Sequence, residues 1–411
     1  LLIAKLAAAR ANAYLSQLNE EISAAICDAI DQLLQDEALM THFPVDLYQA
    51  GSGTSTNMNA NEVIAQLASN RSSLTIDPND HVNCSQSSND IIPSTLHIAA
   101  ATEIEVSLIP ALNYLASVTR NKAKSLEFCI KTGRTHLMDA MPISMEQALS
   151  AWVEQIEMNV MHLRRFLPSL QILAQGGTAV GTGVNAHPEF ATEFTKEVSA
   201  LTGIHFTCPA NFFVYIGSQD TAVALSGHLK TIAVSIMKIA NDLRWMNSGP
   251  VSGLGEINLE PLQPGSSIMP GKVNPVIPES AAMVATQVIG YDASTTLAGQ
   301  SGNFELNVML PLIANNLLES VHLLTNTSYL LADRAIATFT VNTERLAENL
   351  AQNPILVTAL NPIIGYQKAA EIAKQAYEEK RPVIEVAHER TGISYDELQQ
   401  ILDPEQLIRP R

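Results

Sequence analysis

The chain has 411 residues, of which 46% are hydrophobic and 16% are charged, and its formal net charge is −17. This composition is typical of a globular protein with more than one domain, and the acidic balance excludes nucleic acid and anionic membrane surfaces as main partners. A local cluster of donors can still bind an anionic substrate. The four scattered cysteines contain no Cys-x-x-Cys pair, which favours a reducing compartment and argues against a zinc site or a disulfide framework.

The first residues of the chain combine apolar side chains with helical spacing. The run 1–9 resembles the core of a signal peptide, but the spacing continues through Leu15, Leu18 and Ile22, so the pattern predicts a helix. A resemblance to a known family, described below, implies that the first few tens of residues are absent from this sequence, either because the fragment was trimmed or because that part is disordered. We find no uninterrupted apolar stretch of about 18 residues and therefore expect no transmembrane helix.

Two blocks in the first hundred residues are rich in hydroxyl and amide side chains. Gly51–Glu62 opens with a turn bracketed by glycines that contains Ser52, Gly53 and Thr54. Ser85–Asp90 stands where a helix is expected to begin, so its Ser87, Ser88 and Asn89 are suited to capping. The residues alone do not distinguish a structural role in turns and caps from contact with a ligand.

Two further blocks follow in the middle of the chain. The first, 133–137, reads Gly-Arg-Thr-His-Leu and contains Thr135 and His136; a lone histidine is more often a packed or surface residue. The second, 176–183, is rich in glycine, and it lacks the spacing of a dinucleotide-binding fingerprint.

Helical periodicity dominates the rest of the chain. Apolar residues from Leu225 to Met246 alternate steps of four and three, as in helices packed in a bundle. Comparable patterns occupy about 89–125, 141–174, 277–299 and 305–333. Five long helices predict an all-α fold with a central bundle, and their apolar faces are too extensive for one bundle core, which implies oligomerisation.

The run Gly265–Pro275 carries the strongest chemical signal. It places two hydroxyls, Lys272 and Asn274 between two glycines, so that N–H groups, an ammonium and an amide can point at one anion. Five residues separate the glycines and valine follows the lysine, so the run is not a phosphate-binding loop. A carboxylate is the better ligand. Glu279 follows shortly, at a predicted helix start where a carboxylate is favourable.

These blocks, in this order, resemble the fumarase/aspartase superfamily, and the resemblance covers essentially the whole chain. It implies an all-α chain of three domains, 1–84, 85–343 and 344–411, with a long five-helix bundle in the central domain. It also implies a homotetramer around a twenty-helix core, in which each active site draws on three subunits.

The resemblance also implies the roles of the site residues. Ser266 is expected to act as the catalytic base, with His136 positioning water or the leaving group and Glu279 pairing with that histidine. The substrate is expected to be bound by residues from all of these blocks: Ser52, Gly53, Thr54, Ser87, Ser88, Asn89, Thr135, Ser267, Lys272, Val273 and Asn274. No metal and no organic cofactor are implied.

Within the superfamily, Ser88 and the run Ser301–Val308 look like fumarases, whereas Thr54–Asn57 looks more like aspartases. We therefore expect a fumarate hydratase that interconverts fumarate and L-malate by anti addition or elimination through an aci-carboxylate. Aspartate ammonia-lyase and a non-catalytic structural protein are the alternatives. The expected compartment is the cytoplasm, or the mitochondrial matrix in a eukaryote.

One turn departs from the family pattern. Many fumarases carry a second anion site, with an arginine shortly before a His-Pro-Asn-Asp turn. Here the turn is Asp77, Pro78, Asn79 and Asp80, and Leu74 stands at the arginine position. Because a carboxylate replaces an imidazole and the cation is absent, we expect this second site to be lost or weakened.

Overall fold

The computed structural model describes residues 1–409, and the chain is mostly helical, as predicted. The α-helices, numbered in chain order, are α1 (Leu2–Tyr14), α2 (Glu20–Leu34), α3 (Thr54–Arg71), α4 (Ser88–Glu103), α5 (Ile109–Ser125), α6 (Met145–Leu170), α7 (Phe190–Thr202), α8 (Phe212–Gly217), α9 (Asp220–Met246), α10 (Val276–Gly299), α11 (Leu310–Leu331), α12 (Thr343–Ala351), α13 (Asn361–Ile364), α14 (Tyr366–Glu379), α15 (Val383–Thr391), α16 (Tyr395–Ile401) and α17 (Pro404–Leu407).

The prediction of an all-α chain overlooks some short β-structure. Within residues 1–409, antiparallel pairs form between β1 and β2, β3 and β6, and β4 and β5. Their bounds are β1 (Ile130–Thr135), β2 (Met138–Ser144), β3 (Ile257–Asn258), β4 (Gly302–Asn303), β5 (Leu306–Asn307) and β6 (Thr340–Val341). Only β1 and β2 are longer than two residues, and they carry the block that contains His136.

The five predicted long helical segments are confirmed. The pattern at 89–125 corresponds to α4 and α5, joined by a π-helical turn at Ile104–Leu108. The pattern from Leu225 to Met246 lies within α9, and α10 matches the pattern at 277–299. The predicted segment 305–333 contains α11 but starts too early, because residues 306–307 form β5. The predicted segment 141–174 starts too early, because residues 138–144 form β2 and the helix begins at Met145.

The chain forms two compact units, each built from three stretches of sequence. Unit 1 contains Leu1–Ala111, Asn159–Val234 and Val284–Asn326, and unit 2 contains Leu112–Met158, Ser235–Met283 and the residues from Thr327 onward. The divisions fall inside α5, α6, α9, α10 and α11. The three-domain division at 84 and 343 remains a prediction.

In unit 1, the N-terminal helix packs against α2 and α7, and α2 packs against α3. Ile26, Ile30 and Ile64 are completely buried in the resulting core. The predicted helix at the start of the chain is confirmed, but it ends at Tyr14, and Ile22 belongs to α2.

In unit 2, the C-terminal helices form a small core of their own. Leu360, Ile372, Val386 and Leu398 are buried together there. The turn at 354–360 and helices α14, α15 and α16 supply these residues, so apolar burial stabilises this part of the chain.

Two helical runs are long and apolar enough to cross a membrane by length and composition, which the search for uninterrupted apolar stretches overlooked. They are Ser88–Ser125 and Asp220–Met246. The chain itself buries 56% and 44% of their most apolar windows. Helices in the core of a bundle show the same combination of length and apolarity.

Candidate functional site

The Gly265–Pro275 loop of unit 2 is closed by its own hydrogen bonds. The Gly265 N–H donates to the Lys272 carbonyl (2.8 Å), and the Asn274 side-chain amide donates to the Gly265 carbonyl (2.9 Å). A Cβ at residue 265 would lie 2.7 Å from the Lys272 carbonyl oxygen, so only glycine fits there. The Lys272 ammonium donates to Asn274 Oδ1 (2.7 Å), which places a cation and an amide side by side.

Ser266 lies at the bend of this loop and is half-buried. Its Oγ accepts hydrogen bonds from the N–H groups of Ile268 (3.3 Å) and Met269 (3.2 Å). Two N–H dipoles directed at one oxygen favour negative charge on it. The loop thus supplies donors that a serine acting as an alkoxide base requires, whereas Ser267 is exposed.

A cavity of about 1150 Å³ opens beside the loop in unit 2. Lys272, Val273, Asn274 and Glu279 line it, and so does Arg244 of α9. Lys272 and Arg244 are the cations among its described lining residues, against one carboxylate, so the cavity suits an anion. Arg244 was not among the site residues predicted from the sequence. Ser266 and His136 are not among the lining residues.

His136 stands at the tip of the β1–β2 hairpin. Thr135 pairs with Met138, so His136 and Leu137 are the two turn residues, with φ of 56° and 61°. A two-residue turn with both φ values positive normally contains Asn-Gly, and each non-glycine residue in this region costs about 1–2 kcal/mol. This strain, at an exposed histidine, is typical of a functional site.

A buried ionic cluster supports the hairpin. Glu256 is 1% exposed and accepts hydrogen bonds from the Lys131 ammonium and from Arg134 Nη1 (2.7 Å). Burial lowers the pKa of Lys131, and the carboxylate of Glu256 acts in the opposite direction. Both cations lie on β1, so Glu256 anchors the strand that leads to His136. No sequence motif pointed to Glu256.

The Gly51 block of unit 1 forms a tight turn before α3. Ser52 and Gly53 both have positive φ, 59° and 73°, and the Ser52 N–H donates to the Val308 carbonyl (3.1 Å). The Ser52 and Thr54 hydroxyls are 3.3 Å apart. A Cβ at Gly53 would lie 3.0 Å from the side chain of Ile92, so the turn packs tightly against α4.

The Ser87–Asn89 run caps α4, as predicted. The Ser87 hydroxyl accepts from the Asn89 N–H (3.2 Å), and Asp90 Oδ1 accepts from the Ser87 N–H (2.9 Å). Two segments distant in sequence meet Asn89. Ser52 Oγ donates to Asn89 Oδ1 (3.3 Å), and Asn89 Nδ2 donates to the Ala179 carbonyl (2.8 Å). Unit 1 therefore brings three of the predicted blocks together.

The turn at 77–80 has a structural role. Asp77 Oδ1 accepts from the N–H groups of Asn79 (2.7 Å) and Asp80 (2.8 Å), while Pro78 begins the helical turn. These hydrogen bonds hold the pKa of Asp77 below its usual value. Leu74 packs against the apolar core of unit 1. Loss of the second anion site stays a prediction.

Some predicted partners do not meet within the chain. Among residues 1–409, neither the His136 nor the Glu279 side chain forms a hydrogen bond, so their predicted pairing is not made within one chain. Glu279 lies in the first turn of α10, as expected. In the described part of the chain, no group of three or more His, Cys, Asp or Glu residues is arranged to hold a metal ion.

Known proteins resemble the chain over nearly its full length. A family model described as lyase matches residues 1–290, and one described as the fumarase C C-terminus matches residues 356–409. A class II fumarate hydratase of Pseudomonas aeruginosa is 64% identical over 99% of this chain and 89% of its own length. One of Xylella fastidiosa is 55% identical over 97% of this chain and 84% of its own length. The crystal structure of a class II fumarase from Schistosoma mansoni has a TM-score of 0.96 and 37% identity, covering 100% of this chain and 90% of that one.

Proposed function

We infer that this chain, which belongs to the class II fumarate hydratase family, catalyses the reversible addition of water to fumarate to give L-malate. The observation that carries this conclusion is the 64% identity to a class II fumarate hydratase over 99% of the chain. Conversion of L-malate to fumarate by the purified protein, without conversion of L-aspartate, tests it.

The proposed reaction runs through the Gly265–Pro275 loop. In the dehydration direction, the Ser266 alkoxide removes the carbon-bound proton next to a carboxylate of malate, and an aci-carboxylate dianion forms. The Ile268 and Met269 N–H groups that already bind the Ser266 oxygen support its charge. Lys272 and Asn274 receive the substrate carboxylate on which charge grows, and Ser267 and the Val273 backbone complete the contacts. Fixed donors of this kind stabilise the transition state because they require no reorganisation.

The leaving hydroxide is handled by His136. We propose that this imidazole protonates the departing oxygen, or positions water in the reverse direction, and that Glu279 orients it. Their pairing requires the tip of the hairpin from one chain to approach α10 of another. The exposure of His136 at a strained turn supports this, because the turn presents the imidazole outward.

The remaining contacts to the substrate come from unit 1. We propose that Ser52, Gly53 and Thr54, together with Ser87, Ser88 and Asn89, bind the substrate carboxylates from subunits other than the one that supplies Ser266, and that Thr135 joins them. The hydrogen bonds from Asn89 to Ser52 and Ala179 support a preformed surface for this purpose.

We propose that the chain forms a homotetramer with a twenty-helix core and acts in the cytoplasm, or in the mitochondrial matrix of a eukaryote. Large apolar side chains are exposed along the long helices of the single chain. Val106, Val234, Met283 and Leu297 are each more than half exposed, at 68, 54, 67 and 63%. Burial of such faces between subunits is favourable, and it would also complete the active sites.

His136→Asn is expected to lower kcat by about 10- to 100-fold, at or below the low end of the roughly 10²–10⁴-fold effect of acid–base groups. Asparagine tolerates positive φ, so the hairpin keeps its turn and the loss reports the imidazole alone. Steady-state rates with L-malate, compared with those of Ser266→Ala, measure it. A His136→Asn enzyme as inactive as the Ser266 variant would instead give His136 the role of the base.

A further inference from the structure

Asp90, in the first turn of α4, is completely buried, and its carboxylate accepts four hydrogen bonds. Oδ1 accepts from the N–H of Ser87 (2.9 Å). Oδ2 accepts from the N–H groups of Gly176 (3.0 Å) and Thr178 (2.8 Å) and from the side-chain amide of Gln175 (2.9 Å). An ionised carboxylate presents acceptors alone, whereas an amide turns one of these positions into a donor and a protonated acid adds an O–H donor among four N–H donors.

These donors belong to the segments that form the unit 1 part of the site. Ser87 begins the run Ser87–Asn89, and Gly176–Thr178 leads directly to Ala179, whose carbonyl accepts from Asn89 Nδ2 (2.8 Å). The Asn89 side chain is held in turn by Ser52 Oγ (3.3 Å). One buried carboxylate thus lies beneath three segments that are far apart in sequence.

We propose that Asp90 is a positioning residue for the substrate. Its ionised carboxylate fixes Gly176–Thr178 against the start of α4 and so sets the positions of Ser87, Ser88 and Asn89. This role rests on the fumarate hydratase activity proposed above. Because Asp90 is buried, it acts through its hydrogen-bond donors and not by contact with the substrate.

The charge of Asp90 is balanced by Lys5 of α1, which is also completely buried. The Lys5 ammonium donates to Asn83 Oδ1 (3.1 Å) and to Gln86 Oε1 (2.8 Å). Burial lowers the pKa of Lys5 to about 7, and Asp90 acts in the opposite direction. Residues 83 and 86 lie within four residues before the Ser87 cap, so the Lys5 ammonium supports the segment that leads into Ser87–Asn89.

Burial raises the pKa of Asp90 to about 6, whereas its hydrogen bonds and the charge of Lys5 lower it. The groups that bind its oxygens, from Ser87 and from residues 175–178, are uncharged. His97, further along α4, is neutral at these pH values because burial lowers its pKa to about 4. As the pH falls through about 6, Asp90 therefore takes up a proton and one acceptor is lost. The affinity for substrate is expected to fall with it.

The test is Asp90→Asn in the full-length protein. Its amide turns one of the four acceptor positions into a donor, and we expect KM for fumarate and for L-malate to rise about tenfold, as for loss of a hydrogen bond to a charged group. The value of kcat per folded protein should change less, since Ser266 lies in another loop. The rise in KM that we expect of the unmodified protein below about pH 6 should be absent in this variant.

Ser94→Ala is the matched control. The Ser94 hydroxyl is buried one turn further along α4 and donates to the Asp90 carbonyl (2.7 Å), so its loss removes a buried hydrogen bond and leaves the carboxylate intact. We expect lower thermal stability with unchanged KM. Gln175→Met removes one donor to the carboxylate and should raise KM about two- to fivefold. If Asp90→Asn does not fold, the KM of Gln175→Met tests the positioning role of Asp90.

Unchanged KM in Asp90→Asn with the acidic rise retained would overturn the role of Asp90, as would unchanged KM in Gln175→Met. A rise in KM equal to that of Ser94→Ala would reduce Asp90 to a stabilising residue. The unmodified protein is assayed in parallel. If the unmodified protein failed to convert L-malate, this would contradict the proposed function itself. Asp90 would then have no substrate to position.

Discussion

Ser266→Ala is expected to lower kcat for L-malate dehydration by about 10²–10⁴-fold, the range that a positioned base contributes. The reason is that we propose Ser266 Oγ as the atom that removes the carbon-bound proton. Fold and assembly should be retained, because within residues 1–409 the Ser266 oxygen is bound only by two N–H groups of its own loop. Initial rates at saturating substrate, with the oligomeric state measured on the same samples, give the result.

Ser267→Ala is the matched control for this experiment. It removes a hydroxyl from the next residue of the same loop, where the side chain is exposed and has a predicted role in binding. We expect a rise in KM with most of kcat retained. If Ser266→Ala turned over malate at the unmodified rate, Ser266 would no longer be the base.

Glu256→Gln should have the largest effect on stability. It removes the carboxylate that accepts hydrogen bonds from Lys131 and Arg134, and removal of one partner from a buried ion pair costs about 3–5 kcal/mol. Lys131 can lose its proton, but Arg134 stays charged. The hairpin that carries His136 should loosen as well, so kcat is expected to fall together with the midpoint of thermal unfolding, measured at a fixed protein concentration.

Glu260→Gln controls for removal of a carboxylate close by. Glu260 accepts two hydrogen bonds from Arg334 (3.0 and 3.2 Å), and both side chains are partly exposed. Surface pairs contribute less than about 1 kcal/mol, so the midpoint should hardly move. An equal fall in the midpoint of thermal unfolding in the two variants would mean that burial does not increase the contribution of the Glu256 cluster to stability.

The long helices could be predicted from sequence because their signal is local. The heptad spacing from Leu225 to Met246 matches α9 closely, and the Ser87 cap was recognisable from hydroxyl and carboxylate spacing within one turn. The β1–β2 hairpin could not be predicted in this way. Its turn is His136-Leu137, which lacks the Asn-Gly pair typical of its geometry, and β1 shows no regular alternation.

The buried carboxylates were missed for a different reason. Asp90 and Glu256 gain their importance from donors more than 80 residues away in the sequence, and neither stands in a spacing that marks such a partnership. Sequence could suggest that Asp90 caps a helix, which is correct but incomplete. The pairing of His136 with Glu279 is not made within one chain, so it stays a prediction.

The most direct test of the proposed activity is to mix the purified protein with L-malate and, separately, with L-aspartate, and to follow the ultraviolet absorbance of fumarate. We expect a signal from L-malate alone, as for a fumarate hydratase with the fumarase-like Ser88 and Asn303-Phe304. A signal from L-aspartate alone would contradict it and would make Ser55 and Thr56 the better guides to the substrate. Silence from both substrates would contradict it as well.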